Sequence, residues 1–290
     1  MKQWFVNLLL SLLVAFPIVH RESRAETVSQ LNTPVETGSS LTYRKLVEGI
    51  FKGVREDPKS GDLMTASEKV IRRPGAKERT VLPEGSRLNS FEVIRVRGDG
   101  RRYFVMLLGV ESEDSDVPGG GASVLAVFPE GSAEPQDVAE VKSDMFCGLG
   151  EGALLSIGPD EAFTYTNSHH NSSQGYLITT LAQIHGGRLQ RIAEVFTLRN
   201  NAPCDSSFEE PLTWRTESDS ENPYPKVVAT VTLIMGVGKD DGGDCPKNKK
   251  AFRKQTFQSV YRWDKAKGFY LHEPGDRGFD ALDRFNQKNM

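Results

Sequence analysis

Between residues 91 and 110 the chain reads FEVIRVR, then GDG, then RRYFVMLLGV. Two apolar runs either side of a Gly-Asp-Gly cluster specify two antiparallel strands closed by a tight turn, because the glycines supply the backbone conformations such a turn needs. The theme recurs. ASVLAVF and QDVAEVK flank PEGSAEP, ALLSI and AFTYTN flank GPDE, GYLITTLAQI and RLQRIAEVFTL flank HGG, and KVVATVTLIM precedes QTFQSVYRW, which leads through DKAKG to FYLHE. Alternation supports strands: Val227, Ala229, Val231, Leu233 and Met235 share one face, as do Phe257, Ser259, Tyr261 and Trp263.

About ten strands and one convincing helix predict an all-β fold, mainly antiparallel hairpins in a meander, closed as a barrel, a sandwich or a strongly curved sheet. A propeller needs at least about four blades of about four strands, which ten strands do not supply. No sequence period marks a repeat architecture. The helix is N-terminal and amphipathic. Tyr43, Leu46, Val47, Ile50, Phe51 and Val54 fall on one face, with Ser39 or Ser40 as cap. The expected division is a signal peptide over 1–25, a flexible lead-in over 26–40, a β-rich domain with its helix over 41–272, and a C-terminal tail over 273–290.

The first residues bear on compartment. Lys2 precedes an apolar run from Phe5 to Val19, and HRESRA ends on Ala25. This is the plan of a secretory signal peptide cut after Ala25. The run is shorter than the ~20 residues of a spanning helix and Pro17 interrupts it, so no transmembrane anchor is expected in the mature chain. A secreted or periplasmic location follows. The formal net charge of −3, with Lys and Arg scattered among the acids, argues against nucleic acid as a partner. Lys247, Lys249, Lys250, Arg253 and Lys254 are the densest basic group, without an aromatic platform.

Export into an oxidising compartment gives the three cysteines an arithmetic of one disulfide and one thiol. Cys204 and Cys245, both in polar Pro-containing loops, are the expected pair; Cys147, after Met145 and Phe146, is expected to be buried.

NSHHNSSQ, at 167–174, concentrates imidazole and raises the question of a metal. Adjacent strand residues point to opposite faces, so His169 and His170 converge only if a loop folds them back. The simpler reading is a polar loop whose Asn and Ser side chains satisfy its own backbone. A divalent metal held by His169, His170, Asp160 and Glu161 is the alternative, and with it a metal-dependent hydrolase. Asn171-Ser172-Ser173 is also a glycosylation acceptor in a pathway that glycosylates. KDDGGD, at 239–244, lacks EF-hand spacing. Arg97-Gly98-Asp99 spells an adhesion tripeptide, yet a hairpin turn accounts for it. No nucleophile, zinc or phosphate-loop motif is present.

The expectation is therefore an exported, soluble, non-catalytic binding module without a cofactor, acting on an envelope or extracellular protein or a small ligand. Contacts are expected around His169, His170, Asn171, Trp214, Tyr224 and Trp263, since aromatic and imidazole groups supply contact surface. An envelope structural or assembly module is a further alternative, docking through the helix or an open sheet edge.

Overall fold

The computed structural model describes residues 30–58, 62–72, 79–111, 121–141, 146–150, 154–170, 174–200, 207–236 and 253–290. The chain is mostly β, with eighteen strands in two sheets and two helices among the described residues. Helix α1 (Tyr43–Phe51) comes first, followed by β1 (Val54–Glu56), β2 (Leu63–Thr65), β3 (Lys69–Arg72), β4 (Arg79–Leu82), β5 (Arg87–Gly98), β6 (Arg101–Glu111), β7 (Gly121–Pro129) and β8 (Asp137–Val141). These strands form an eight-stranded sheet in the order β1-β2-β5-β6-β7-β8-β3-β4, antiparallel but for one bridge between Arg72 and Ala139. The second sheet has ten strands: β9 (Phe146–Leu149), β10 (Leu155–Ile157), β11 (Asp160–His170), β12 (Gln174–His185), β13 (Arg188–Asn200), β14 (Phe208–Glu209), β15 (Leu212–Glu217), β16 (Lys226–Met235), β17 (Arg253–Asp264) and β18 (Phe269–His272). Helix α2 (Asp280–Asn289) ends the chain.

The period of two decides what each face meets. Along β6, Phe104, Met106, Leu108 and Val110 join the cluster that α1 covers with Leu46, Val47, Ile50 and Phe51. The alternate residues Tyr103, Val105 and Leu107 face the second sheet and pack with Phe163, Tyr165, Ala182, Ile184 and Leu189. Strands β6 and β7 are thus apolar on both faces because they lie between layers, and each fully buried Leu, Val or Phe there contributes about 1.5–3 kcal/mol. In the second sheet, Ala162 and Leu181 from β11 and β12 share a cluster with Val227, Trp263 and Tyr270 from β16, β17 and β18. A further cluster joins Val195, Val231 and Phe257 to Leu282 of α2, so residues 273–290 carry a helix seated on the core.

Helix α1 is capped by Thr42, whose hydroxyl accepts the Lys45 N–H, rather than by Ser39 or Ser40. It stops at Lys52 in the left-handed region (φ 51°), and Gly53 (φ 128°) turns the chain so that Val54 opens β1 instead of extending the helical face. No helix among the described residues is long and apolar enough to cross a membrane.

Two hairpin tips fasten the sheets. The β5–β6 turn has Asp99 and Gly100 at φ 51° and 70°, the pair of positive angles of a type I′ turn. The β12–β13 turn repeats this with Gly186 and Gly187 at 59° and 68°. The Asp99 carboxylate accepts the N–H of both glycines, at 3.0 and 2.8 Å. Gly98 allows the approach, since a Cβ there would lie 2.7 Å from the Ile184 carbonyl oxygen. Asp137 makes a second fastening, accepting from Arg72 and from the Leu189 N–H at 2.8 Å.

Candidate ligand-binding site

The residues singled out in the sequence occupy different places. His169 and His170 belong to β11, paired with Tyr176 and Gly175, so they are strand residues and not part of a loop. The His169 ring stacks on Tyr176 at 5.7 Å, and His170 lies over Gly175, where a Cβ would meet its Nδ1 at 2.2 Å. Asp160 and Glu161 begin the same strand. At about 3.3 Å per residue the two ends of β11 are roughly 25–30 Å apart, so the histidines and these carboxylates do not meet. Both acids are engaged elsewhere: Asp160 accepts the Tyr224 hydroxyl (2.9 Å) and the Gly100 N–H (3.2 Å), and Glu161 accepts the Arg97 N–H (2.8 Å) and its guanidinium (3.1 Å). Among the described residues no group of three or more His, Cys, Asp or Glu is placed to hold a metal ion. The structure does not bring the four residues of the metal alternative together: a continuous strand separates the two pairs.

The Arg-Gly-Asp tripeptide is likewise committed to the fold, with Arg97 on Glu161 and Asp99 on the glycine turn. Asn171, the pair Cys204 and Cys245, the KDDGGD segment, the 1–25 leader and the basic residues at 247–250 lie outside the described residues. Cys147 is a half-buried free thiol on β9, packed in the cluster between the sheets. Burial pushes its thiol up to about 11, leaving it protonated and unreactive at neutral pH.

Tyr224 and Trp263 do come together. Trp263 pairs across the β17–β18 hairpin with Tyr270, and the Tyr224 ring lies against Trp263 at 4.4 Å. His185 meets the Trp263 ring edge-on at 4.9 Å; its Nδ1 is 3.4 Å from Asp99 Oδ1 but makes no hydrogen bond. The Tyr270 hydroxyl donates to the Pro225 carbonyl at 2.9 Å. Burial and the Asp160 carboxylate raise the Tyr224 phenol above its usual range, so it stays a donor. Trp214, half-buried, packs against the cluster that holds Trp263 and Tyr270 and against the neighbouring cluster under α2.

Beside these rings is a cleft of about 510 Å³ bordered by Glu221, Asn222, Arg262, Trp263, Leu271 and His272. Arg262 forms its rigid side. Its fork donates to both oxygens of Asp219, at 2.6 and 2.9 Å, and to Glu221 at 2.6 Å. These bonds, with the Asn222 amide on Asp219, hold the Asp219 carboxyl well below the usual carboxylate range and raise the Arg262 guanidinium.

His272 also belongs to a Ser-His-Asp group that the sequence reading missed. Its Nε2 is 2.6 Å from Ser259 Oγ and 3.2 Å from Asp276 Oδ2, and Ser259 Oγ donates to Asp276 Oδ2 at 3.0 Å. Nucleophilic catalysis needs the acid on one ring nitrogen and the serine on the other. Here both meet the same nitrogen, the serine proton points at the acid, and Ser259 is fully buried. Asp276 further accepts the N–H of Val260 (2.7 Å) and Gly278 (2.8 Å), which outweigh its burial and keep its carboxyl below the ordinary value. The group ties the segment before α2 to β17. Arg262 and Tyr270 were not singled out because their partners Asp219 and Pro225 come from turns 43 and 45 residues away; for His272 a local signal did exist, with Ser259 thirteen and Asp276 four residues away.

Compared with known proteins, the chain matches no family model, no curated sequence and no solved structure.

Proposed function

We propose that the protein is a non-catalytic binding module, exported to the periplasm or beyond by a leader cut after Ala25, whose ligand enters the cleft beside Trp263. The observation that carries this is the cleft itself. It is a preformed concavity of a volume usual for small-molecule sites, bordered by Trp263, by an Arg262 fixed in place on Asp219 and Glu221, and by the exposed His272 edge. The neighbouring Ser-His-Asp arrangement supports binding over turnover, since its serine is buried and its acid occupies the wrong ring nitrogen. We read the second sheet as strongly curved, on the ground that strands from both of its ends supply one apolar cluster.

The test is a thermal-shift panel of sugars, amino acids and short peptides on the mature chain. A ligand at about a hundred times its Kd adds about 2.7 kcal/mol, a rise in Tm of roughly 5–10 °C for a chain of this size. His272→Ala is expected to remove the shift, while the loss of its contacts with Ser259 and Asp276 lowers the basal Tm by only about 2–4 °C. A panel that leaves Tm unmoved, or a bound solute released chemically altered, overturns the reading.

A further inference from the structure

The β5–β6 hairpin carries three guanidinium groups on one face. Arg95 and Arg97 are two residues apart on β5, and Arg97 is directly opposite Arg102 on β6. Strand alternation therefore places all three together, on the face that Phe91 and Phe104 share with the α1 cluster. Like charges directly opposite one another weaken an antiparallel pair. Compensation by carboxylates is uneven. Arg95 pairs with Glu36 and lies over the Phe104 ring at 5.6 Å. Arg97 holds Glu161 at 3.1 Å. Arg102 reaches only 3.9 Å from Glu130, a carboxylate that Arg95 also approaches at 3.5 Å, and its side chain is 64% exposed. These residues border a concave space of about 320 Å³ lined by Arg95, Arg97, Arg102, Leu154 and Glu161. Arg95 also borders a second space of about 520 Å³ with Glu36, Thr37 and Tyr43.

We propose that this arginine-lined space is a binding site for a small, multiply charged oxyanion, a solute bearing phosphate or clustered carboxylate groups. A guanidinium presents paired N–H donors in a plane that matches two oxygens of a phosphate or carboxylate; Arg102, approached by Glu130 only at 3.9 Å, offers such a fork, and directly opposite stands Arg97, one nitrogen of which already holds Glu161. Glu130, shared at long range by Arg95 and Arg102, is the carboxylate with which a ligand oxygen would compete for those guanidiniums. The volume is at the small end of ligand sites, which suits a compact solute rather than a polymer. The site is separate from the cleft beside Trp263 and stands or falls independently of it.

Calorimetric titration of the mature chain at low salt tests it, with pyrophosphate and citrate as separate probes. At least one is expected to bind with a Kd of about 1 mM or tighter, weakening with added salt. Arg102→Ala is expected to weaken binding about tenfold and Arg102→Lys nearly as much, because an ammonium lacks the fork. Glu130→Gln is expected to tighten binding severalfold by freeing the guanidiniums, whereas Arg262→Ala leaves it unchanged, which separates this site from the other cleft. Pyrophosphate alone or citrate alone giving heat assigns the site to phosphate or to carboxylate. No heat from either probe up to about 10 mM, or equal binding in an Arg97→Ala/Arg102→Ala double variant of unchanged Tm, overturns the proposal.

Discussion

Asp160 and Glu210 are both buried carboxylates, 2% and 5% exposed, set in surroundings of opposite kind. At the joint between the sheets, each Asp160 oxygen has a donor, the Tyr224 hydroxyl on Oδ2 and the Gly100 N–H on Oδ1. Under helix α2, both donors to Glu210, the Leu198 N–H at 2.8 Å and the Asn286 amide at 3.1 Å, fall on Oε2. Glu210 Oε1 and Asn286 Oδ1 are buried without a hydrogen-bond partner. Burial therefore pushes the Glu210 carboxyl up to about 7, against the two bonds to Oε2, and Asp283 on the helix pushes it further. The lesson is that equal depth can come with unequal satisfaction: both oxygens of Asp160 have a donor, while one oxygen of Glu210 has none.

Removing the satisfied acid should do the most harm. Asp160→Ala leaves the Tyr224 hydroxyl and the Gly100 N–H without their acceptor, and a loss of about 3–4 kcal/mol is expected in urea unfolding. A loss below about 1 kcal/mol would place Asp160 with Glu210 and dissolve the contrast. Next comes the apolar seat of the helix. Leu282 is fully buried, so Leu282→Ala should cost about 3 kcal/mol. That experiment shows whether α2 is held by packing while its buried polar pair contributes little.

The pH dependence sharpens the comparison further. The folded-state pKa of Glu210 is raised from 4.5 to about 7, so the folded state holds a proton that the unfolded chain has released between those values. Stability from this group is full below pH ~4.5 and falls as pH rises through about 7, by roughly 2 kcal/mol. Glu210→Gln should flatten the decline and be the more stable protein at pH 8; parallel stability curves for the two would refute the assignment. The smallest effect is expected at Ser259, where Ala removes one hydroxyl from the Asp276 network and costs about 1 kcal/mol. A fluorophosphonate probe should leave Ser259 unlabelled in the folded protein, and mass spectrometry of the treated chain checks it.

The hairpins were legible because their information is local. GDG and HGG sit between alternating apolar runs, and the structure turns at those glycines. KVVATVTLIM coincides with β16, both of whose faces are apolar. The short strands β1–β4, β14 and β15 were not legible, since runs of two to six residues are too short to show a period. The Asn and Ser neighbours of His169 and His170 suggest a loop, yet pairing with β12 carries β11 through both. At the sites the limit is sequence distance. Tyr224 reaches Asp160 across 64 residues and Arg262 reaches Asp219 across 43, so neither partner marks the other in the sequence.

The fastening of hairpin tip to hairpin tip also governs the order of events in time. Each hairpin closes through neighbours in sequence, a matter of microseconds for such an element. The Asp99 carboxylate then has to find Gly186 and Gly187 across 87 and 88 residues, and Arg72 has to find the Leu189 carbonyl across 117. Contacts of that span close the largest loops and are expected to arrive last, after the rate-limiting step. The same bonds, absent until the barrier has been crossed, act mainly on the reverse step: loosening the joint hastens unfolding more than it delays folding, and the lifetime of the native chain is held by two turns of glycine and one aspartate.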